Sequence, residues 1–281
     1  MRLFADDTII FIIANDLKLL FTLANDITRN VYQWLVSNKL SINFEKTNYM
    51  VFKANNYTIN EIKNLNLSIS INNILLSRTT SIKYLGVWLD DQLSWNAHVT
   101  QLLKKVSSLI GIIYRKKYLL SARCRKNIYF GLVYSSLVYC IEVYGRAKKS
   151  VLKPLIVKCN TFLRILQDKP RRYSIKELYR NYETLPVNLL YKLFILKLMY
   201  RVVYCKCLLP SVIVNLFSIN DDIHSYNTRS RHEFNIQANS CTNSISYIGP
   251  SMWLKLPRTN RELSSLASFL HHCKLLLLDE L

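Results

Sequence analysis

Between residues 100 and 210 the chain carries 23 Lys and Arg against four Asp and Glu, on apolar residues spaced three and four apart. Such a segment folds by burying one face of each helix and leaving cations on the other. From Ser94, a plausible N-cap, Val99, Leu102, Leu103, Val106, Leu109, Ile110 and Ile113 fall along one helix face. Lys104 and Lys105 lie off that stripe. Further helices are predicted at about 121–143, 151–166, 174–183 and 186–206, with Tyr and Phe interleaved among the bases. The densest stretch holds Arg115, Lys116, Lys117, Arg123, Arg125 and Lys126 and no acid. A face that is merely soluble mixes both signs. The pattern therefore points to a helical surface that positions a polyanion through its phosphates, without reading sequence. The formal charge of the whole 281-residue chain is +20, so nearly all of the excess sits in this one block.

Other classes are excluded by smaller features. Seven Cys, an odd number without framework spacing, read as reduced thiols of an intracellular protein, nuclear or cytoplasmic and not secreted. The apolar N-terminus is interrupted by Asp6 and Asp7, where a signal peptide needs an unbroken core. Residues 189–217 have the apolarity of a membrane span, but Lys192, Lys197, Arg201 and Lys206 lie within them, so no membrane partner is expected. Five Gly leave no Walker or Rossmann loop. Cys205-x-Cys207 with His224, His232 and Cys241, and the run His271-His272-Cys273, lack the spacing of structural zinc. They read as packing Cys and surface His. Trp34, Trp88, Trp95 and Trp253 are expected in a core or between domains.

The first hundred residues are patterned differently. Leu3-Phe4, Ala5-Asp6-Asp7 and Thr8–Ile12 read as a buried hairpin with acids at its tip. An amphipathic helix is expected over 17–38, with Leu17, Leu20, Phe21, Ala24, Ile27, Val31, Trp34 and Leu35 on one face. Strand-like segments follow at 47–53, 67–76 and 82–89. The expected fold class is α+β: a mixed unit over 1–93, a basic helical unit over 94–217, and a tail over 218–281. That tail opens with a polar loop, Ser218–Ser246, and closes with a helix, Glu262–Leu278. Of three Asp-Asp pairs (6–7, 90–91 and 221–222), only Asp6-Asp7 lies between apolar strand-like runs. Two adjacent carboxylates at such a turn are either an ordinary acidic turn or ligands for paired divalent ions of phosphoryl transfer.

The ordered set of motifs resembles a known family. Phe4-Ala5-Asp6-Asp7-Thr8 resembles the palm signature of reverse transcriptases in the form found in LINE-type, non-long-terminal-repeat retroelements. Asn43-Phe44-Glu45-Lys46-Thr47 resembles the next motif, with its N-x-x-K-T core. Ile82-Lys83-Tyr84-Leu85-Gly86-Val87 is similar to the primer-grip hairpin, and Leu93–His98 to the entry of the thumb. Tyr226-Asn227-Thr228-Arg229 and Gly249–Pro257 resemble the tail of jockey-like elements.

The resemblance implies a palm remnant followed by a mainly helical thumb and C-terminal region. Asp6 and Asp7 would be catalytic and would hold Mg2+ or Mn2+, and Lys46 would face the departing pyrophosphate. Lys83, Tyr84, Leu85 and Gly86 would lie under the primer, where Gly86 permits a close backbone approach. Lys104, Lys105, Arg115, Lys116, Lys117, Arg123, Arg125 and Lys126 would grip the backbone of an RNA template paired with its primer, as RNA–DNA or DNA duplex. The family carries fingers and a first palm half, with a further metal-binding Asp, before this turn. Asp16, Asp26, Asp90 and Asp91 are not expected to replace that Asp. The chain alone is therefore expected not to polymerise, and an N-terminal polymerase half is an expected partner. The alternative is a non-catalytic basic helical RNA- or DNA-binding protein derived from a retroelement.

Overall fold

A computed structural model describes residues 2–4, 7–52, 56–220, 233–235 and 244–281. It is mixed, with 61% of the described residues helical and several two-stranded sheets, so helices carry the fold. Two compact units divide the chain, Met1–His98 and Val99–Leu281.

The first unit opens with the antiparallel ribbon β1 (Arg2–Phe4) and β2 (Asp7–Ile9), in which Phe4 faces Asp7. The hairpin is present but not buried: Phe4 is 60% exposed, and Phe11 just beyond it 59%. Two short strands have too little area to cover their own apolar side chains. Helix α1 (Leu17–Ser37) follows the 3.6-residue pattern closely. Asp16 caps it by accepting from the Leu19 N–H at 3.2 Å. Its buried residues Phe21 and Ala24 pack with Ile62 and Ile69 into a small core, where the Tyr49 ring meets Phe21 edge-on.

Short strands and one helix complete this unit. Strand β3 (Asn48–Tyr49) runs parallel to β6 (Ser77–Arg78); β4 (Ser70–Ile71) and β5 (Ile74–Leu75) form a hairpin, as do β7 (Ser81–Tyr84) and β8 (Val87–Asp90). The strand-like segment 67–76 is a hairpin, and 82–89 forms the hairpin that the primer-grip resemblance implied. Each reverses through two residues of positive φ, Asn72 and Asn73 in one, Leu85 and Gly86 in the other, as type I′ turns require. Helix α2 (Asn56–Asn64), polar at its start, escaped the pattern entirely. Asn25 of α1 ties β4 in place, donating to Ser68 O and accepting from the Ser70 N–H. Trp34 is not in the core: it is 53% exposed, with Leu19, Leu23 and Val36 also exposed.

The second unit is helical. Helix α3 (Asn96–Lys116) starts two residues after Ser94. The expected helix over 121–143 is interrupted. It runs as α4 (Ala122–Ile128), a wide π turn over Tyr129–Tyr134, then α5 (Ser135–Val138). The wide turn admits Tyr129 and Val133 to the core together. Ser135 and Ser136 hydroxyls donate to the carbonyls of Gly131 and Leu132 in that turn. Cys140, with φ 53°, ends the run before α6 (Ile141–Tyr144).

Then follow α7 (Lys149–Gln167), α8 (Ile175–Asn181) and α9 (Val187–Tyr204). Beyond these come α10 (Ser211–Val214), α11 (Ile245–Leu254), α12 (Arg258–Arg261) and α13 (Leu266–Asp279), the last capped by Ser265 rather than beginning at Glu262. Most of the polar loop expected over 218–246 lies outside the described residues, as do His224, His232, Cys241 and the motif Tyr226–Arg229.

Helix α9 explains the false membrane signal. It packs against α5, α6, α7, α11 and α13, so its apolar residues need no single face. Its cations stay at the margin, with Lys192 paired to Glu280 and Lys197 over the Phe194 ring. Among the described residues no helix is long and apolar enough to cross a membrane. Gly145 is required where α6 meets α9, since a Cβ there would sit 2.6 Å from Ile141 O and 2.7 Å from the Tyr191 ring. Trp253 is buried against Phe269, and Trp88 and Trp95 are half-buried.

Candidate nucleic-acid interface

The acidic turn is only partly visible. Asp6 lies outside the described residues, and Asp7, at the start of β2, is exposed. Lys46 is also exposed, on a turn built by Asn43. The Asn43 carbonyl accepts from the Lys46 and Thr47 N–H groups, its side-chain oxygen accepts from Lys46 N–H at 3.2 Å, and the Thr47 hydroxyl donates to the same carbonyl at 2.8 Å. The N-x-x-K-T spacing is thus a self-contained turn that presents the lysine ammonium to solvent.

The four remaining candidate carboxylates have other tasks. Asp16 caps α1 and Asp26 pairs with Arg29 at 3.5 Å. Asp90 accepts the Ser94 and Trp95 N–H groups, at 2.7 and 2.8 Å, on its two oxygens, and Asp91 lies 4.0 Å from Arg78. Among the described residues no three His, Cys, Asp or Glu side chains converge as metal ligands.

The β7–β8 hairpin orders the primer-grip-like residues. Lys83 stands opposite Trp88 and is exposed, Tyr84 stands opposite Val87, and Leu85 and Gly86 make the turn. The hairpin is joined to the first turn of α3 through Asp90 and through His98, whose Nδ1 accepts from the Trp88 N–H at 3.4 Å. Burial holds His98 below the ordinary histidine value, so at neutral pH it is a packed, neutral acceptor.

The cations of the second unit are sorted by the fold. Lys104, Arg115 and Lys116 are exposed along α3, with Arg115 turned back on the Gly111 carbonyl. Lys105 donates to Ser136 at 2.5 Å. Arg123, Arg125 and Lys126 converge on an open cleft of about 460 Å³, with Gln167, Lys169 and Tyr182 on its other wall. The chain reversal at Asp168, a left-handed C-cap with φ 54°, brings Lys169 there. Sequence reading missed Lys169 because more than 40 residues separate it from Lys126 and only the α4–α7 packing unites them.

The few acids are drawn into pairs at the cleft margin. Lys117 hydrogen-bonds Asp168, which holds the lysine above and the carboxyl below their usual values. Glu183 lies 4.0 Å from Lys126. Burial, opposed by Glu183 and reinforced by the Lys126 charge, lowers the half-buried Lys274.

No family model matches the chain, and no solved structure matches it. Two curated proteins do, both described as RNA-directed DNA polymerase from mobile element jockey. The one from Drosophila melanogaster is 33% identical over 102 residues, 34% of this chain and 11% of the relative. The one from Drosophila funebris is 32% identical over 144 residues, 49% of this chain and 15% of the relative. The chain thus spans only a small part of the length of the relatives it matches. Over those segments, and in the motifs they share, the chain is similar to the RNA-directed DNA polymerases of jockey-type mobile elements.

Proposed function

We propose that this chain is a segment of the RNA-directed DNA polymerase of a non-long-terminal-repeat retroelement. In this reading the basic helical unit is the thumb and holds a primer–template duplex by its backbone. The observation that carries the reading is the convergence of Arg123, Arg125, Lys126 and Lys169 on one exposed cleft, in the block that holds 23 bases against four acids. Cations arranged so, on rigid helices and with few acids to neutralise them, favour phosphates of any sequence. The first unit would be the late palm, its β7–β8 hairpin placed under the primer and Lys46 beside the leaving pyrophosphate.

Asp6 and Asp7 would hold Mg2+ or Mn2+, for which carboxylate oxygens are suitable donors. Such ions supply charge stabilisation to nucleotidyl transfer. The exposed Leu19, Leu23, Trp34 and Val36 of α1 and Phe4 of β1 suit cover by another part of the polymerase. Synthesis itself belongs, in this reading, to the longer protein.

Fluorescence anisotropy with an RNA–DNA hybrid tests the binding part. Affinity should fall steeply with salt, and Lys116→Ala or Arg123→Ala should weaken all sequences by similar factors. Salt-independent binding, or none, would refute it. The catalytic part is tested by mixing the chain with the remaining polymerase region. Mg2+-dependent dNTP incorporation should return and should be lost with Asp6→Ala.

A further inference from the structure

The basic cleft has a neighbour that phosphate binding leaves unused. Directly after α3 the chain exposes Tyr118 and Leu119, at 81% and 78%. The Lys117 ammonium sits over one face of the Tyr118 ring, 4.6 Å from its centre, and the same lysine hydrogen-bonds Asp168. Asp168 lies between Gln167 and Lys169, two residues of the cleft wall. The tyrosine ring is therefore moored to the cleft rim through one lysine. Arg125 lies close enough for its charge to act on both Asp168 and the Tyr182 hydroxyl. The Arg125 Nε–H is buried and has no acceptor among the described residues. From Gln92 to Ile141 the sequence contains no acid. An aromatic ring held beside a line of cations suits one ligand above others, an unpaired nucleotide. In a duplex the bases are already stacked on each other, and no face is left for a side chain.

We propose that the Arg125–Lys169 cleft binds a backbone phosphate of single-stranded nucleic acid while the free face of Tyr118 stacks the adjoining base. This rests on the reading of the second unit as a nucleic-acid interface and adds a preference at its edge. The cleft would take a backbone phosphate of duplex and single strand alike, and the single strand leading to or from the duplex would pass over Tyr118. The occupant is a nucleic acid rather than an apolar protein surface because every charged side chain in 104–126 is a cation.

Anisotropy titrations of the full chain decide it, using a single-stranded RNA 12-mer, the same 12-mer as an RNA–DNA hybrid, and an abasic 12-mer. Tyr118→Ala should weaken the single strand on the order of ten-fold and leave the hybrid within about two-fold. Tyr118→Phe should retain wild-type affinity, since the ring and not the hydroxyl is used. The abasic strand should not distinguish wild type from Tyr118→Ala. Lys169→Ala should weaken normal and abasic strands alike and reduce the salt slope by about one. Equal losses on strand and hybrid, or no loss on either, would overturn the stacking site while leaving the basic interface in place. So would unchanged binding with altered self-association in Tyr118→Ala, which would make the ring a protein contact. Absence of binding to all three probes would remove the interface reading as well.

Discussion

The two units solve the problem of burial with unequal success. In Val99–Leu281 large side chains such as Tyr129, Tyr144, Tyr179, Phe162 and Phe269 are almost wholly buried. Their polar atoms are met: Tyr179 donates to Asn160 at 2.7 Å, and Tyr144 donates to the Leu137 carbonyl. In Met1–His98 the α1 core comprises Phe21, Ala24, Ile62 and Ile69, and its strands pair only two by two. A helix satisfies its backbone internally, so helices can be stacked until the core closes. A two-stranded ribbon leaves both outer edges unpaired and needs neighbours. The charged unit is thus the self-sufficient one, and the unit with the acidic turn is the open one.

This contrast can be broken experimentally. The largest effect should appear in amide exchange, where protection in α7 and α9 should exceed that in β1, β2 and α1 by orders of magnitude. Comparable protection in the two units would end the comparison. Core truncation should follow the same order. Phe162→Ala should cost about 3–5 kcal/mol by urea denaturation, since that site is closed on all sides. Phe21→Ala should cost less than that range, because a half-open site collapses more readily, and it should leave the unfolding of the helical unit unchanged.

The smallest effect concerns His98. Burial lowers its pKa in the folded state from the ordinary 6.5. The folded state therefore releases this proton at lower pH than the unfolded state does. The stability involved is fully present above about 6.5 and declines as pH falls through that value toward the folded pKa. The urea midpoint should be lower at pH 5.5 than at 7.5. His98→Asn, which keeps an acceptor for Trp88, should reduce that difference by an amount on the order of 1 kcal/mol or less.

The sequence was most readable where one periodicity acted alone. Helix α1 falls within a residue of its expected ends because its apolar face and its Asp16 cap agree. It was least readable where contacts far along the chain decide the backbone. The π turn at Tyr129–Tyr134 depends on aromatic packing with Tyr182, and no local propensity announces it. The hairpin at 70–75 was hidden because Asn72-Asn73 interrupts an apolar run too briefly to look like a turn, whereas that at 81–90 was legible only through its resemblance to the primer grip. At the interface, Arg123, Arg125 and Lys126 were legible as a charge cluster. Lys169, Gln167 and Tyr182 were not, since only the packing of α4 against α7 and the reversal after it bring them opposite.

Helix α9 carries a consequence for synthesis. It is complete at Tyr204, yet α11 and α13, which cover it, end at Leu254 and Asp279. During translation at about 5–20 residues per second, its last covering helix follows by roughly 4–15 seconds. For that interval the apolar residues of α9 stand exposed without yet having their neighbours. A helix covered by several neighbours in the finished unit is therefore one that needs protection from aggregation while the chain is being made.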